Sequence, residues 1–221
     1  MKTSAILMVA AFAAMLNAET INVSFARGAW DTNEWVGVKS PRWDYLHDFV
    51  QMDDHIINQT PDLPDDILFK EHERDVFSSI LLKRTFTVGT EVSSTMSFDH
   101  RMAPLIVIAA PLGADARGRP EFREHFEVVL FDEGLNVWHH RHQDGNPSWH
   151  LAAFLRAPFK PKTKYDLKVS LQRRHGTKQL TVSCGGQVFG YEDDDLPETF
   201  QVGITGCEGR NRFYDFRVQT P

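Results

Sequence analysis

The stretch that decides the fold is the last one: Gly203-Ile204-Thr205-Gly206-Cys207-Glu208-Gly209-Arg210-Asn211-Arg212-Phe213-Tyr214-Asp215-Phe216-Arg217-Val218. A loop rich in glycine and asparagine separates two closing strand segments, 200–205 and 212–218, and two strongly alternating stretches precede them. Alternation at period two marks a half-buried antiparallel strand. Just upstream, Tyr165, Leu167, Val169 and Leu171 alternate with Lys164, Asp166, Lys168 and Ser170, which makes a strand with one wet face. His175-Gly176-Thr177-Lys178 turns it into a strand over 179–184, and Gly185-Gly186 turns that into one over 187–191.

The pattern continues upstream as far as residue 80. Ile80, Leu82, Phe86 and Val88 share a face, and Val92, Ser94, Met96 and Phe98 alternate again. Residues 104–110 are apolar on both faces, as expected of a strand with the core on one side and a groove or packed loop on the other. Residues 126–131 and 135–140 form a hairpin across Asp132-Glu133-Gly134, and 148–155 is a further strand. Residues 19–79 differ. Their aromatic and acidic clusters show little clean period, so this part reads as one or two early strands with long loops covering one face. No segment holds a 3.6-residue period over three turns. Ten to twelve short strands with a turn signal every 8–12 residues indicate an all-β sandwich or barrel.

Lys2 followed by an apolar run of 12 residues, Ala5–Leu16, and a small residue at Ala18 reads as a secretory signal peptide over residues 1–18. The run is too short to span a bilayer. Residues 19–221 then form one domain, with no linker, repeat or low-complexity tract to divide it, and the chain is expected outside the cytoplasm, secreted or periplasmic. A net charge of −6, without basic clusters, argues against nucleic acid and anionic membrane surfaces as partners. Export would permit a Cys184–Cys207 bridge, but the two residues have opposite parity relative to their apolar neighbours, so a disulfide and two separate thiols both stay open.

The closing F-x-D-F-x-V strand, Phe213 to Val218, preceded by its Gly/Asn-rich loop, resembles that of the concanavalin A-like lectin/glucanase superfamily. The resemblance is specific over about the last 60 residues and loose over the rest of residues 19–221. It implies a jelly-roll sandwich of two antiparallel sheets. The strands at 164–171 and 179–184 would belong to the convex sheet. Those at 104–110, 126–131 and 135–142 would belong to the concave sheet, which carries an oligo- or polysaccharide in that superfamily. The sandwich glucanases carry Glu-x-Asp-x-Glu on one strand face, where period two aligns three carboxylates on the sugar. Here the matching positions are Glu127, Val129 and Phe131, so only Glu127 stays as a candidate acid or sugar-binding group. The resemblance also implies a structural calcium held by terminal segments, with Asp215 and Glu208 as candidate ligands.

The densest polar-aromatic cluster is Asn136-Val137-Trp138-His139-His140-Arg141-His142. Asn136, Trp138, His140 and His142 share one strand face. An indole stacks on the apolar face of a sugar, while amides and imidazoles bond its hydroxyls. Trp149 on the next strand extends that surface, and His140 is a second candidate catalytic group. Arg42, Trp43 and Tyr45 would wall it from the N-terminal loops, with core packing the competing reading for the tryptophans. Arg42, Arg101 and Arg141 are suited to clamp a uronate or sulfate, in which case a lyase with a His or Tyr base becomes an alternative to a glycoside hydrolase. His140, His142 and His150 offer nitrogen ligands to a transition metal if a neighbouring strand adds an acid. The expectation is therefore a protein that recognises or processes a glycan. A non-catalytic carbohydrate-binding module and an interaction domain are the alternatives.

Overall fold

A computed structural model describes residues 18–221, apart from residues 102 and 144. The leader expected over residues 1–18 lies outside the described residues except for Ala18. No described helix is long and apolar enough to cross a membrane. In chain order the strands are β1 Thr20–Ser24, β2 Trp35–Gly37, β3 Phe49–Gln51, β4 Ile56–Asn58, β5 Phe77–Leu82, β6 Phe86–Thr87, β7 Glu91–Phe98, β8 Pro104–Ala109, β9 Gly113–Ala114, β10 Pro120–Glu121, β11 Glu124–Phe131, β12 Gly134–Gln143, β13 Asn146–Arg156, β14 Tyr165–Arg174, β15 Thr177–Cys184, β16 Gln187–Glu192, β17 Thr199–Cys207, β18 Asn211–Phe213 and β19 Asp215–Gln219. One α-helix, α1, spans Asp65–His72.

Two large antiparallel sheets result. Sheet A runs β16-β15-β14-β7-β18-β4-β3, with β19 also on β7 and β1 on the outer edge of β19. Sheet B runs β13-β12-β11-β8-β17-β5-β2, with β6 on β17. The strands assigned to opposite sheets by sequence do lie in opposite sheets: β14 and β15 in A, and β8, β11 and β12 in B. Alternation explains the sandwich. Val92, Met96 and Phe98 of β7 and Leu167, Val169 and Leu171 of β14 meet Ile106 and Ile108 of β8, Phe126, Val128 and Leu130 of β11, and Val202 and Ile204 of β17 in one core. Burying each such side chain stabilises the fold by about 1.5–3 kcal/mol.

The opposite face of sheet B is also covered, as the doubly apolar 104–109 segment required. Leu105, Val107 and Ala109 pack with Val129, Phe77, Phe122 and Val38, and Trp43, Tyr45 and Leu46 close over them. The loop carrying these residues is pinned by a buried ion pair. Lys39 Nζ lies 2.8 Å from Glu121 Oε2, with both residues 5% exposed. Lys39 and Phe122 also exchange backbone bonds with Pro120 and Lys39.

Several expectations need correction. Nineteen strands are present among the described residues rather than ten to twelve. Residues 19–79 supply β1–β4, the start of β5, and α1, where one or two strands were expected. Strands of three residues are too short to display a period, and α1 buries only Leu68. The single strand expected over 212–218 breaks at Tyr214. On one side Asn211–Phe213 pairs with Met96–Phe98, and on the other Arg217–Gln219 pairs with Glu91–Ser93. The Asp215 carboxylate fills the gap, accepting from Thr95 N at 2.9 Å and Thr95 Oγ1 at 2.8 Å. The Gly/Asn-rich loop carries the chain from sheet B to sheet A. There Asn58 accepts from Asn211 N at 2.7 Å and donates to Gly209 O at 2.8 Å, satisfying a buried turn.

Cys184 and Cys207 are separate thiols. Cys184 sits in the core between the sheets, and Cys207 faces the outer side of sheet B beside Ala103 O at 3.8 Å. Reductant should therefore leave the melting temperature unchanged. A bridge closing this loop would contribute about 3 kcal/mol, and its loss would register as a clear drop. Glu121→Gln strands the Lys39 ammonium in a buried site and should cost about 3 kcal/mol or more in urea unfolding. A loss below about 1 kcal/mol would show that the pair does not anchor the loop.

Candidate functional site

The register of sheet B assembles the site. On β11, the inward turn of Phe126 and Val128 forces His125, Glu127 and Val129 to the outer face. Across the hairpin, Glu127 pairs with Trp138, Val129 with Asn136, and His125 with His140. On the next strand, beyond a bulge between Val137 and Trp138, Trp149 stands opposite His140. An open pocket of about 170 Å³ results. Ala103, Leu105, Val129 and Cys207 form its apolar lining, Glu127, Asn136, His140 and Glu208 its polar lining, and Trp138, Trp149 and Arg42 its aromatic and cationic lining.

Glu127 is the electrostatic centre. His125 Nε2 lies 3.2 Å from its Oε1, and His140 Nε2 lies 3.1 Å from its Oε2. The two imidazoles stack with centroids 4.7 Å apart, and His125 stacks in turn on Phe122 at 4.2 Å. Burial alone would raise the Glu127 carboxyl. The charge of His140 and the hydrogen bonds from His125 and His140 overrule burial and hold it well below the ordinary glutamate range. Glu127 is thus an anion fixed by two donors.

Aromatic groups surround this anion. His140 stacks on Trp149 at 6.4 Å. The Arg42 guanidinium carbon lies 4.4 Å from the Trp149 ring centroid and 4.9 Å from that of Trp43. Arg42 Nε and Asn136 Oδ1 are both buried without a hydrogen-bond partner among the described residues. Glu208, at the pocket edge, adopts φ 57 in the left-handed region, a strained conformation for a residue other than glycine.

Most of the sequence-derived site residues converge here: Glu127, His140, Asn136, Trp138, Trp149, Arg42 and Glu208. Trp43 lines an adjoining hollow shared with Arg42, Glu127 and Glu208. Tyr45 does not reach the pocket. It stacks on His47 and Trp43, and its hydroxyl donates to Arg74 O. Burial, with Asp75 adding to it, pushes that phenol up to about 12. Arg141 is likewise turned away, bonded through Nε to Glu124 at 2.9 Å and paired with Asp195. Arg101 belongs to Asp132 and Glu133 at the far turn.

The proposed metal groupings do not form as expected. His142 bonds Arg123 at 3.0 Å, and His150 packs edge-on to His139, so neither joins His140. His140 instead shares ligand-range geometry with His125 and Glu127, and a second such group is His139, Asp193 and Asp195. Neither includes Asp215 or Glu208. The Asp215 carboxylate is taken by Thr95 of sheet A, while Glu208 stands by the pocket on sheet B. The two carboxylates are therefore held on different sheets rather than brought together. His125, with both its neighbours in the site, went unrecognised because the strand was read as starting at residue 126. Extending it two residues would have put His125 on the Glu127 face.

No family model matches the chain, and no curated protein matches it by sequence. Solved structures do match in fold. One is the κ-carrageenase from Pseudoalteromonas carrageenovora in complex with a κ-carrageenan oligotetrasaccharide, with 7% identity and a TM-score of 0.56 over 96% of this chain and 99% of that one. Another is the exoplasmic/lumenal domain of VIP36 in its Ca²⁺/Man3GlcNAc-bound form, with 10% identity and a TM-score of 0.57 over 90% and 87%. A third is the carbohydrate-binding module CBM66 from Bacillus subtilis, with 11% identity and a TM-score of 0.53 over 81% and 91%. The fold is that of the concanavalin A-like lectins and glucanases. Within that concanavalin A-like frame, the three-carboxylate strand of the sandwich glucanases is broken here: Val129 contributes apolar surface to the pocket, and Phe131 is buried.

The Glu127 anion ties stability to pH. The unfolded carboxyl takes up its proton near 4.5, and the folded one only at lower pH. Between those values the unfolded state binds more protons, so stability falls as pH falls. Urea midpoints measured from pH 6 downward should therefore decline below about 4.5 in the wild type. They should decline less steeply in Glu127→Gln, and identical slopes would remove Glu127 as the source.

Proposed function

We propose that the protein is exported and recognises a glycan in the pocket on the outer face of sheet B. The observation that carries this reading is the convergence of Trp138, Trp149 and Asn136 on one pocket with the fixed anion Glu127. The indoles supply flat apolar faces, and Asn136 Oδ1 and Glu127 supply acceptors for hydroxyl groups. The fold relatives, which include a κ-carrageenase bound to an oligosaccharide and a mannoside-bound lumenal domain, support the same reading.

Binding is favoured over turnover because Glu127 is held ionised by two histidines, whereas a general acid must hold a proton near the working pH. One observation supports hydrolysis as a second reading. Glu208 lines the same pocket as Glu127, which provides the two carboxylates that glycoside hydrolysis uses. In that reading Glu127 would be the nucleophile and Glu208 the proton donor. A lyase base at Tyr45 has no support, since its hydroxyl is bonded to Arg74 O outside the pocket.

The experiment is retardation of residues 19–221 on gels containing neutral and acidic polysaccharides, with and without calcium, alongside assays for new reducing ends and unsaturated uronates. Retardation without product is expected. Trp138→Ala should weaken retention by about tenfold or more, equivalent to about 1.4 kcal/mol, with melting intact. New reducing ends that vanish in Glu127→Gln would establish the hydrolase reading instead. Absence of both retardation and product across the panel would overturn the glycan assignment.

A further inference from the structure

Three arginines were candidates to read an acidic group, and the structure separates them. Arg141 is paired with Glu124 and Asp195, and Arg101 with Asp132 and Glu133. Arg42 alone of the three stands in the pocket, and among the described residues it makes no ion pair. Its guanidinium is held against two indoles, Trp149 at 4.4 Å and Trp43 at 4.9 Å. Its Nε is shielded from solvent with no acceptor among the described residues. Its backbone N donates to Ser40 Oγ at 3.3 Å, which fixes the loop next to the buried Lys39–Glu121 pair.

A cation placed this way lacks the acceptor that a buried donor requires. The guanidinium carbon lies within cation–π range of both indoles, an interaction that leaves its N–H donors for a ligand. Glu127, the fixed anion of the pocket, is engaged by His125 and His140. A planar guanidinium matches a carboxylate or sulfate through two parallel N–H···O bonds, which a neutral hydroxyl cannot reproduce.

We propose that the ligand is an acidic sugar, with the Arg42 guanidinium binding its uronate carboxylate or sulfate ester in the pocket. This rests on the glycan-binding reading above and narrows it to a substrate class. Trp149 and Trp43 act as positioning residues that hold the guanidinium plane.

The test uses residues 19–221 and matched pairs of polysaccharides: a sulfated galactan with its desulfated form, and a polyuronate with its carboxyl-reduced form. Affinities are measured by gel retardation at low and at physiological salt, for the wild type, Arg42→Lys and Arg42→Gln, with thermal melting as the control on folding. The wild type should bind at least one acidic form about tenfold or more tightly than its neutral partner, and the preference should shrink as salt rises. Whichever pair shows the preference identifies carboxylate or sulfate as the group bound. Arg42→Gln should bring the ratio of acidic to neutral affinity to about one, and Arg42→Lys should keep part of the preference without the full gain of a bidentate fork. Equal binding of acidic and neutral forms by the wild type would overturn the inference and leave glycan binding standing. So would a preference that survives intact in a folded Arg42→Gln. Retention of no member of either pair would overturn both.

Discussion

The constraint on which the site depends is the alternation of the three central strands of sheet B. Phe126, Val128 and Leu130 go inward because the core between the sheets needs them there. Ile106 and Ile108 on β8 and Leu135 and Val137 on β12 do the same. With the inward set fixed, His125, Glu127, Asn136, Trp138 and His140 have only the other face to occupy. A one-residue slip of β11 would exchange a run of buried aliphatic and aromatic side chains for a carboxylate and an imidazole. The hydrophobic energy of the core between the sheets therefore specifies the composition of the pocket, although no residue of that inner core lines it.

The second half of the pocket comes from a different physical source. The loop over residues 38–47 has no sheet ladder to hold it. A buried ion pair, backbone bonds to Ser79, Pro120, Phe122 and Phe77, and the packing of Val38, Trp43, Tyr45 and Leu46 on the outer face of sheet B hold it instead. Covering that face removes the usual solvent from one side of β8 and β11. This explains why β8 is buried along its whole length and why Glu127 needs two histidine donors. Arg42 enters the site on this loop, so the guanidinium and the fixed anion Glu127 arrive on separately stabilised elements.

How much was legible in the residues follows from these two sources. The strands at 104–109, 124–131, 134–143, 165–174 and 177–184 were readable because their alternation is long and reports a core. Their assignment to two sheets rested on the resemblance together with parity, not on parity alone. The convergence of Asn136, Trp138 and His140 with Glu127 was readable for the same reason. The loop contacts were not. Nothing in the spacing of Lys39 and Glu121, 82 residues apart, announces that they pair. The three-residue strands β2, β3 and β4 carry too little pattern to be seen, and their existence depends on neighbours already in place. Asp215 could not be placed from sequence because a carboxylate is equally apt as a metal ligand and as a substitute for a missing backbone acceptor. The break between β18 and β19 shows the second of these roles. Tyr45 and Arg141 were misplaced by the same kind of ambiguity, since sequence proximity to a pocket residue does not fix which side of the backbone a neighbour takes.

The balance between holding a sugar and cutting it turns on the protonation of one group. In a retaining hydrolase the two carboxyl groups divide the labour, one ionised and one protonated, and their environments must push them apart. Here the environment acts strongly on Glu127 and in one direction only. His140 and His125 donate to it, and the site gains from its negative charge. That is the right state for a nucleophile or for an acceptor of sugar hydroxyls, and the wrong one for a proton donor. A catalytic reading therefore has to place the donor entirely on Glu208, a residue on a strained turn at the pocket edge. The recognition reading asks nothing further of it. The pocket as built, with one anion held by two imidazoles, one cation held by two indoles and an apolar lining beside them, is complete as a surface for binding.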